Sequence, residues 1–233
     1  MDIKNIKVIG FDADDTLWVN EPHYQKTEAV FCGLLSDFLP QKELSEALFK
    51  TEMQNLALYG YGGKSFLLSM IETAQRISNN RVENHILAQI IMLGKTLLDQ
   101  PVELLDGVKE TLEKLASRDV ELILATKGDL LDQERKLTKS ELKAYFHHIE
   151  IMSDKKVQNY AALLAHLDIA PENFLMIGNS LKSDILPVVE LGGYAIHIPY
   201  HTTWVHEQVE AVSDSPNYQQ MTIISNVLDL FDL

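Results

Sequence analysis

Four short apolar runs, each rich in β-branched residues and each stopping at a polar loop, constrain this chain more than any other feature. Ile6-Lys7-Val8-Ile9-Gly10-Phe11 ends at Asp12-Ala13-Asp14-Asp15-Thr16, and Val120–Ala125 ends at Thr126-Lys127-Gly128-Asp129. Phe174–Gly178 ends at Asn179-Ser180, and Tyr194–Ile198 ends at Pro199. Runs of this length and type read as buried strands. Helical spacing fills the intervals: Val108, Leu112 and Leu115; then Tyr160, Leu163, Leu164 and Leu167; then Ile185, Val188 and Val189 before the stop Gly192-Gly193. Strand alternating with helix predicts an α/β, Rossmann-like core with a parallel sheet and helices on both faces. In open sheets of that type ligands bind beyond the carboxyl ends of the strands, where polar residues stand here.

Between about Glu21 and Leu98 the pattern changes. Val30, Phe31, Leu34, Leu35 and Phe38 recur at helical spacing, as do Val82, Ile86, Ile90 and Leu97, with no convincing strand between them. Residues 19–98 are therefore expected to form an all-helical insertion, with 1–18 and 99–233 making the core. An insertion straight after the first strand is placed to act as a cap over the sheet end that carries Asp12 and Asp14. Met53, Met70 and Met92 are expected in its helix cores.

Charge narrows the function. Against 20 basic side chains stand 34 acidic ones, a net charge of −14 over 233 residues. Such a surface repels phosphate backbones and anionic lipid, so neither nucleic acid nor membrane is an expected partner, and an anionic substrate needs a locally positive site. No run approaches the roughly 20 apolar residues that span a bilayer. The start, Met1-Asp2-Ile3-Lys4-Asn5, lacks a basic stretch followed by an apolar one. A single cysteine, Cys32, excludes an internal disulfide and suits a reducing cytoplasm. Its simplest use is as a small buried filler. The expected location is cytoplasmic, the expected state a monomer or homodimer.

Asp12 and Asp14 are one residue apart just past a buried strand, so a single turn can aim both carboxylates at one site. There they can divide labour between nucleophile and proton carrier. Acidic clusters of this kind also commonly supply loop hydrogen bonds or a helix cap, and spacing alone leaves both readings open.

The stretch Phe11-Asp12-Ala13-Asp14-Asp15-Thr16-Leu17 resembles the first motif of the haloacid dehalogenase-like (HAD) superfamily in its phosphatase form. Three further motifs then find matches in order. The hydroxyl residue after an apolar strand corresponds to Thr126, and the lysine before the next helix to Lys155, with Lys156 as the competing choice. The last, acidic motif corresponds to Gly178-Asn179-Ser180-Leu181-Lys182-Ser183-Asp184, where Asn179 stands at a position usually Asp. The helical insertion is similar to the family's type 1 cap.

That resemblance implies a phosphatase acting on a small phosphorylated metabolite. Asp12 would attack phosphorus, and Asp14 would protonate the departing oxygen and later take a proton from water. Mg²⁺ would be held by Asp12, the Asp14 backbone carbonyl and the fourth motif, where Asn179 contributes a neutral oxygen and Asp184 compensates for the missing charge. Thr126 would bind a phosphoryl oxygen and Lys155 would neutralise charge. A phosphomutase, a haloacid dehalogenase, and a receiver-like or non-catalytic phosphate-binding protein are the alternatives. The neutral Asn179 favours dehalogenation; Asp14, without use in that metal-free chemistry, opposes it.

Weaker signals remain. Tyr59-Gly60-Tyr61-Gly62-Gly63-Lys64-Ser65 permits a tight loop in the insertion, with Lys64 as a candidate substrate contact. Lys127 is a further candidate, though a surface position suits it better. Pro199 argues against a metal pair from His197 and His201, and no metal is assigned to those residues or to His206. His147-His148 reads as a surface turn, Trp18 and Trp204 as packing or cap-closure residues.

Overall fold

A computed structural model describes residues 1, 3–209 and 215–231. The chain divides into two compact units. One comprises Met1–Glu21, Val102–Lys127 and Gln133–Leu233; the other comprises Pro22–Pro101 together with Gly128–Asp132.

The second unit contains α1 (Glu21–Leu34, entered from the first unit at Glu21), α2 (Gln41–Tyr59), α3 (Gly63–Ile77) and α4 (Asn84–Leu98). Its core joins Phe31, Leu35, Leu44, Leu48, Phe66, Met70, Ile90 and Leu97, with Cys32 buried among them. Ile90, Gly94 and Leu97 mark the buried stripe of α4, which leaves Met92 on the far side and 56% exposed, against expectation. Val30 and Phe38 are likewise exposed, the first beside the Thr27–Phe31 stripe and the second beyond the end of α1. Among the described residues no helix is long and apolar enough to cross a membrane.

The first unit is built on a six-stranded sheet. Its strands are β1 (Val8–Phe11), β2 (Glu121–Lys127), β3 (His148–Met152), β4 (Phe174–Gly178), β5 (Tyr194–His197) and β6 (Tyr218–Gln220), in the order β3-β2-β1-β4-β5-β6. Every neighbouring pair is parallel. The α/β, Rossmann-like expectation is thus met. Because the chain runs outward from β1 to β3 and then returns to the other flank at β4, the order reverses between β1 and β4. In open parallel sheets the binding crevice forms at that reversal, beyond the strand carboxyl ends.

All four residues of β1 are buried, as a central strand covered on both faces requires. Ile9 and Phe11 pack with Val108, Leu112 and Leu115 of α5 (Val108–Ala116). On the opposite face Val8 joins Phe174, Val188 and Tyr160, the last from a later helix, Val157–His166. Gly10 is required by that second cluster: a Cβ there would lie 2.7 Å from the Phe174 ring. Phe174 fills the space instead.

Two strands escape the sequence pattern. β3 is an edge strand whose first four residues are only partly buried, and its alternation of His and Glu with Ile disguises it as a turn. His147-His148 is accordingly not a surface turn: His147 donates its backbone N–H to Leu122, and His148 pairs with Ile123 in register. β6 is three polar-ended residues recruited by the edge of β5. β2 also runs through Thr126 and Lys127, past the expected end at Ala125.

Candidate active site

Asp12 follows β1 directly, and its backbone N–H donates to Ile177 of β4 at 2.9 Å, so the sheet ladder itself aims the residue. One carboxylate oxygen, Oδ1, accepts from Lys155 Nζ at 2.5 Å; the other, Oδ2, accepts from the Thr16 hydroxyl at 3.0 Å. Lys155 comes from the loop after β3 and also donates to Asp184 Oδ1 at 2.7 Å. Of the two adjacent lysines it is therefore Lys155 that reaches Asp12, while exposed Lys156 pairs with Asp154. Burial and the neighbouring Asp184 push the Asp12 carboxyl up to about 7, against the pull of Lys155. Burial works against the Lys155 charge, but Asp12 and Asp184 outweigh it and hold the ammonium well above its ordinary range.

Asp14 is gripped by three donors. Its Oδ1 accepts from the Trp18 indole at 2.7 Å and from Lys136 Nζ at 2.9 Å, and its Oδ2 accepts from Gln133 Nε2 at 2.8 Å. Gln133 also donates to the Thr126 hydroxyl at 3.1 Å, which ties the first motif to the second. Lys136 reaches Asn20 as well, at 2.8 Å. Gln133 and Lys136 stand one turn apart on α6 (Leu130–Lys139). Sequence reasoning missed both, and their only signal is an i, i+3 polar pair on a helix that begins shortly after Thr126. Trp18 is a packing residue, 1% exposed, that also supplies its one donor to the site.

The acidic cluster splits its duties. Asp15 adopts a φ of 61° and accepts from the backbone N–H groups of Asn20 and Glu21 at 2.8 and 2.9 Å, which caps the start of α1. Asp12 is buried and Asp14 partly so, each held by side-chain donors.

After β4 the chain makes a wide turn, Leu181–Ile185, in which Leu186 N–H donates to the Leu181 carbonyl, before the short helix Leu186–Glu190. This turn carries Asp184 back over the strand end. Asp184 is 1% exposed; its Oδ2 accepts from Ser180 N–H at 3.0 Å, so both its oxygens are engaged by the protein. A Cβ on Gly178 would lie 2.3 Å from that carboxylate, and only glycine leaves it room. Asn179 is pinned by His197, whose Nε2 donates to the Asn179 carbonyl at 3.0 Å. Burial lowers the pKa of that histidine, in keeping with a neutral ring.

Oxygen atoms converge on Thr16. Its single hydroxyl proton faces Asp12 Oδ2 at 3.0 Å and Asn179 Oδ1 at 3.3 Å, so one electron-rich oxygen is left over at any moment. A carboxylate and an amide oxygen brought together in this way suit a hard cation such as Mg²⁺. The set holds one carboxylate with neutral oxygens; among the described residues no group of three His, Cys, Asp or Glu side chains is arranged to hold a metal.

The two lysines considered as substrate contacts are each held in an ion pair. Lys127 pairs with Glu207 at 2.5 Å and donates to Ser183 at 2.9 Å. Lys64, in the helical unit, is half exposed and pairs with Asp129 at 2.8 Å.

Comparison with known proteins gives the family. The family model described as haloacid dehalogenase-like hydrolase covers residues 6–192. Comparison with curated proteins gives no match. Among solved structures, a haloacid dehalogenase-like family hydrolase from Xanthomonas campestris is 38% identical, with a TM-score of 0.87 over 97% of this chain and 92% of that one. A 2-haloacid dehalogenase from Pseudomonas syringae pv. Tomato shares the fold at 16% identity and a TM-score of 0.67, covering 97% of this chain and 98% of that one. An HAD phosphatase from Thermococcus onnurineus shares it at 18% identity and a TM-score of 0.64, with coverage of 97% and 98%. By its matched motif-bearing core and its near full-length relative, the chain belongs to the haloacid dehalogenase-like hydrolases.

Proposed function

We propose that this hydrolase is a Mg²⁺-dependent phosphatase that cleaves a small phosphorylated metabolite through an aspartyl-phosphate on Asp12. Asp12, the Asp14 backbone carbonyl and Asn179 would hold Mg²⁺, which when bound would supply positive charge to offset repulsion between carboxylate and phosphoryl oxygens. The remaining work falls to the chain's own residues. An Asp12 oxygen attacks phosphorus while the ester bond breaks, and Asp14 gives its proton to the departing oxygen. Asp14 then takes a proton from the water that attacks the aspartyl-phosphate, which frees phosphate and restores both carboxyls. Gln133 donates to Thr126, and this leaves the Thr126 proton free to bind a phosphoryl oxygen. Lys155 is kept charged by Asp12 and Asp184 for the same purpose.

One observation carries the choice of reaction: Asp14 is fixed by Trp18, Gln133 and Lys136, and Gln133 couples it to Thr126. Halide displacement by Asp12 has no task for a second acid. Asn179 is the feature on the other side, because a neutral residue there weakens metal affinity, and dehalogenation is the second reading. A panel of phosphorylated metabolites and 2-haloacids, with Mg²⁺ or chelator, on the native protein and Asp12→Asn separates them. Phosphate release that needs both metal and Asp12 is expected; metal-independent halide release, or phosphate release without Asp12, overturns the proposal. Product analysis separates hydrolysis from mutase transfer.

A further inference from the structure

A second, largely buried cluster in the sheet-bearing unit joins the fourth motif to a residue outside all four. Its centre is Glu207, at the end of the 3-10 turn Val205–Glu207. One oxygen, Oε1, accepts from Lys127 Nζ at 2.5 Å. The other, Oε2, accepts from the hydroxyls of Ser180 at 2.6 Å and Ser183 at 2.5 Å. Lys182 donates to the His206 carbonyl at 2.7 Å and fastens the same turn from its other side.

The partners matter because of where they sit. Lys127 ends β2 and Ser180 follows β4, and those are the two strands that flank β1. One carboxylate thus spans the loops on either side of Asp12. From Ser180 the contacts continue inward: its N–H holds Asp184, Asp184 holds Lys155, and Lys155 holds Asp12. Ser183 is bound into the turn through its own N–H, which donates to Ser180 Oγ at 3.0 Å.

Resting on the phosphatase reading, we infer that Glu207 is a positioning residue of the active site. It braces the β2 and β4 loops and so sets Asn179, Asp184 and Lys155, while Lys127 serves as its counter-charge and not as a substrate contact. Glu207 itself touches no reacting atom. Partners that orient the ligands of a metal site typically contribute about 10–100-fold to affinity or activity.

The test uses the full chain with p-nitrophenyl phosphate and Mg²⁺, and calorimetric titration with Mg²⁺ alone. Glu207→Gln is expected to lower kcat about 10–100-fold with KM within about threefold, and to weaken Mg²⁺ binding by a similar factor. The amide in that variant keeps an oxygen for the serines but faces the Lys127 ammonium without charge. Lys127→Met removes the same brace from the β2 side, so it is expected to lower kcat and Mg²⁺ affinity by a similar factor, and the pair Lys127→Met with Glu207→Gln to be no worse than the more impaired single variant. Native kcat and native Mg²⁺ affinity in Glu207→Gln overturn the inference. So does a paired variant whose losses multiply, with KM raised by Lys127→Met alone, since Lys127 would then be acting on the substrate directly. If the native protein shows no Asp12-dependent phosphate release, the phosphatase reading falls first and this inference with it.

Discussion

Replacing Gly178 by alanine tests whether the carboxylate of Asp184 is held as tightly as its surroundings imply. The new Cβ would sit 2.3 Å from Asp184 Oδ2, 2.4 Å from its Cγ and 2.6 Å from its Cβ. Carbon atoms in ordinary contact are about 3.5–4.0 Å apart, so Asp184 must retreat by roughly 1 Å. The strand cannot yield instead, because Gly178 pairs with His197 of β5 and its carbonyl accepts from Ile198 N–H at 2.9 Å. Overpacking a close-fitted interior costs about 1–3 kcal/mol, and loosening a buried charge-assisted hydrogen bond adds about 1.5–3 kcal/mol. A loss of about 2.5–6 kcal/mol follows, measured by urea unfolding with native and variant compared at equal slope. Phosphate release should fall with it, by about 100-fold, because Lys155 loses its second anchor. Gly33→Ala is the control: nothing lies within 4 Å of the added carbon, and stability should hold or rise by up to about 1 kcal/mol. A Gly178→Ala protein within about 0.5 kcal/mol of native, at full activity, would falsify the reasoning.

Further outcomes are expected from other parts of the structure. Burial opposes the Glu207 charge, but Lys127 and the two serine hydroxyls outweigh it and hold the carboxyl at about 2, below its ordinary 4.5. Its contribution, about 3 kcal/mol, is therefore present above pH 4.5 and fades as pH falls toward 2. Urea unfolding of native protein and Glu207→Gln should show a gap that narrows across that window, and a gap independent of pH contradicts the assignment. Asp14→Asn should lower kcat about 10²–10⁴-fold with little change in KM, and Lys136→Met, which removes one of its three donors, about tenfold; steady-state kinetics that reverse this order count against the proton-carrier role. Ile90→Ala, in the core of the helical unit, should cost about 2–5 kcal/mol in urea, while Leu58→Ala, at 79% exposure, should stay within about 0.5 kcal/mol.

Much of the sheet was legible because central parallel strands must be apolar on both faces, as β1 and β4 are. The edge strands were not, since β3 and β6 are only partly covered and their polar residues imitate loops. At the site, Asp12, Thr126, Asn179 and Asp184 could be found because each falls at or just after the end of a readable strand. Lys155 could be found only to within one residue, since its strand was itself unseen. Gln133, Lys136 and Glu207 lie on helical or turn segments whose spacing says nothing about the loop they reach. Glu207 is 195 residues from Asp12, and no local pattern encodes a contact of that span.

The wide turn Leu181–Ile185 has a consequence for how this family of chains can change in length. Its widened bond, from Leu186 back to Leu181, spends one residue more than a regular helical turn needs. Deleting Leu181 or Lys182 would restore ordinary winding and swing the following side chains by about 100° around the axis. The Asp184 carboxylate would then be lost from above Gly178, although Asp184 itself still stood in the sequence. Descendants that preserve the chemistry must therefore preserve the count between Ser180 and Leu186, whatever letters they place there.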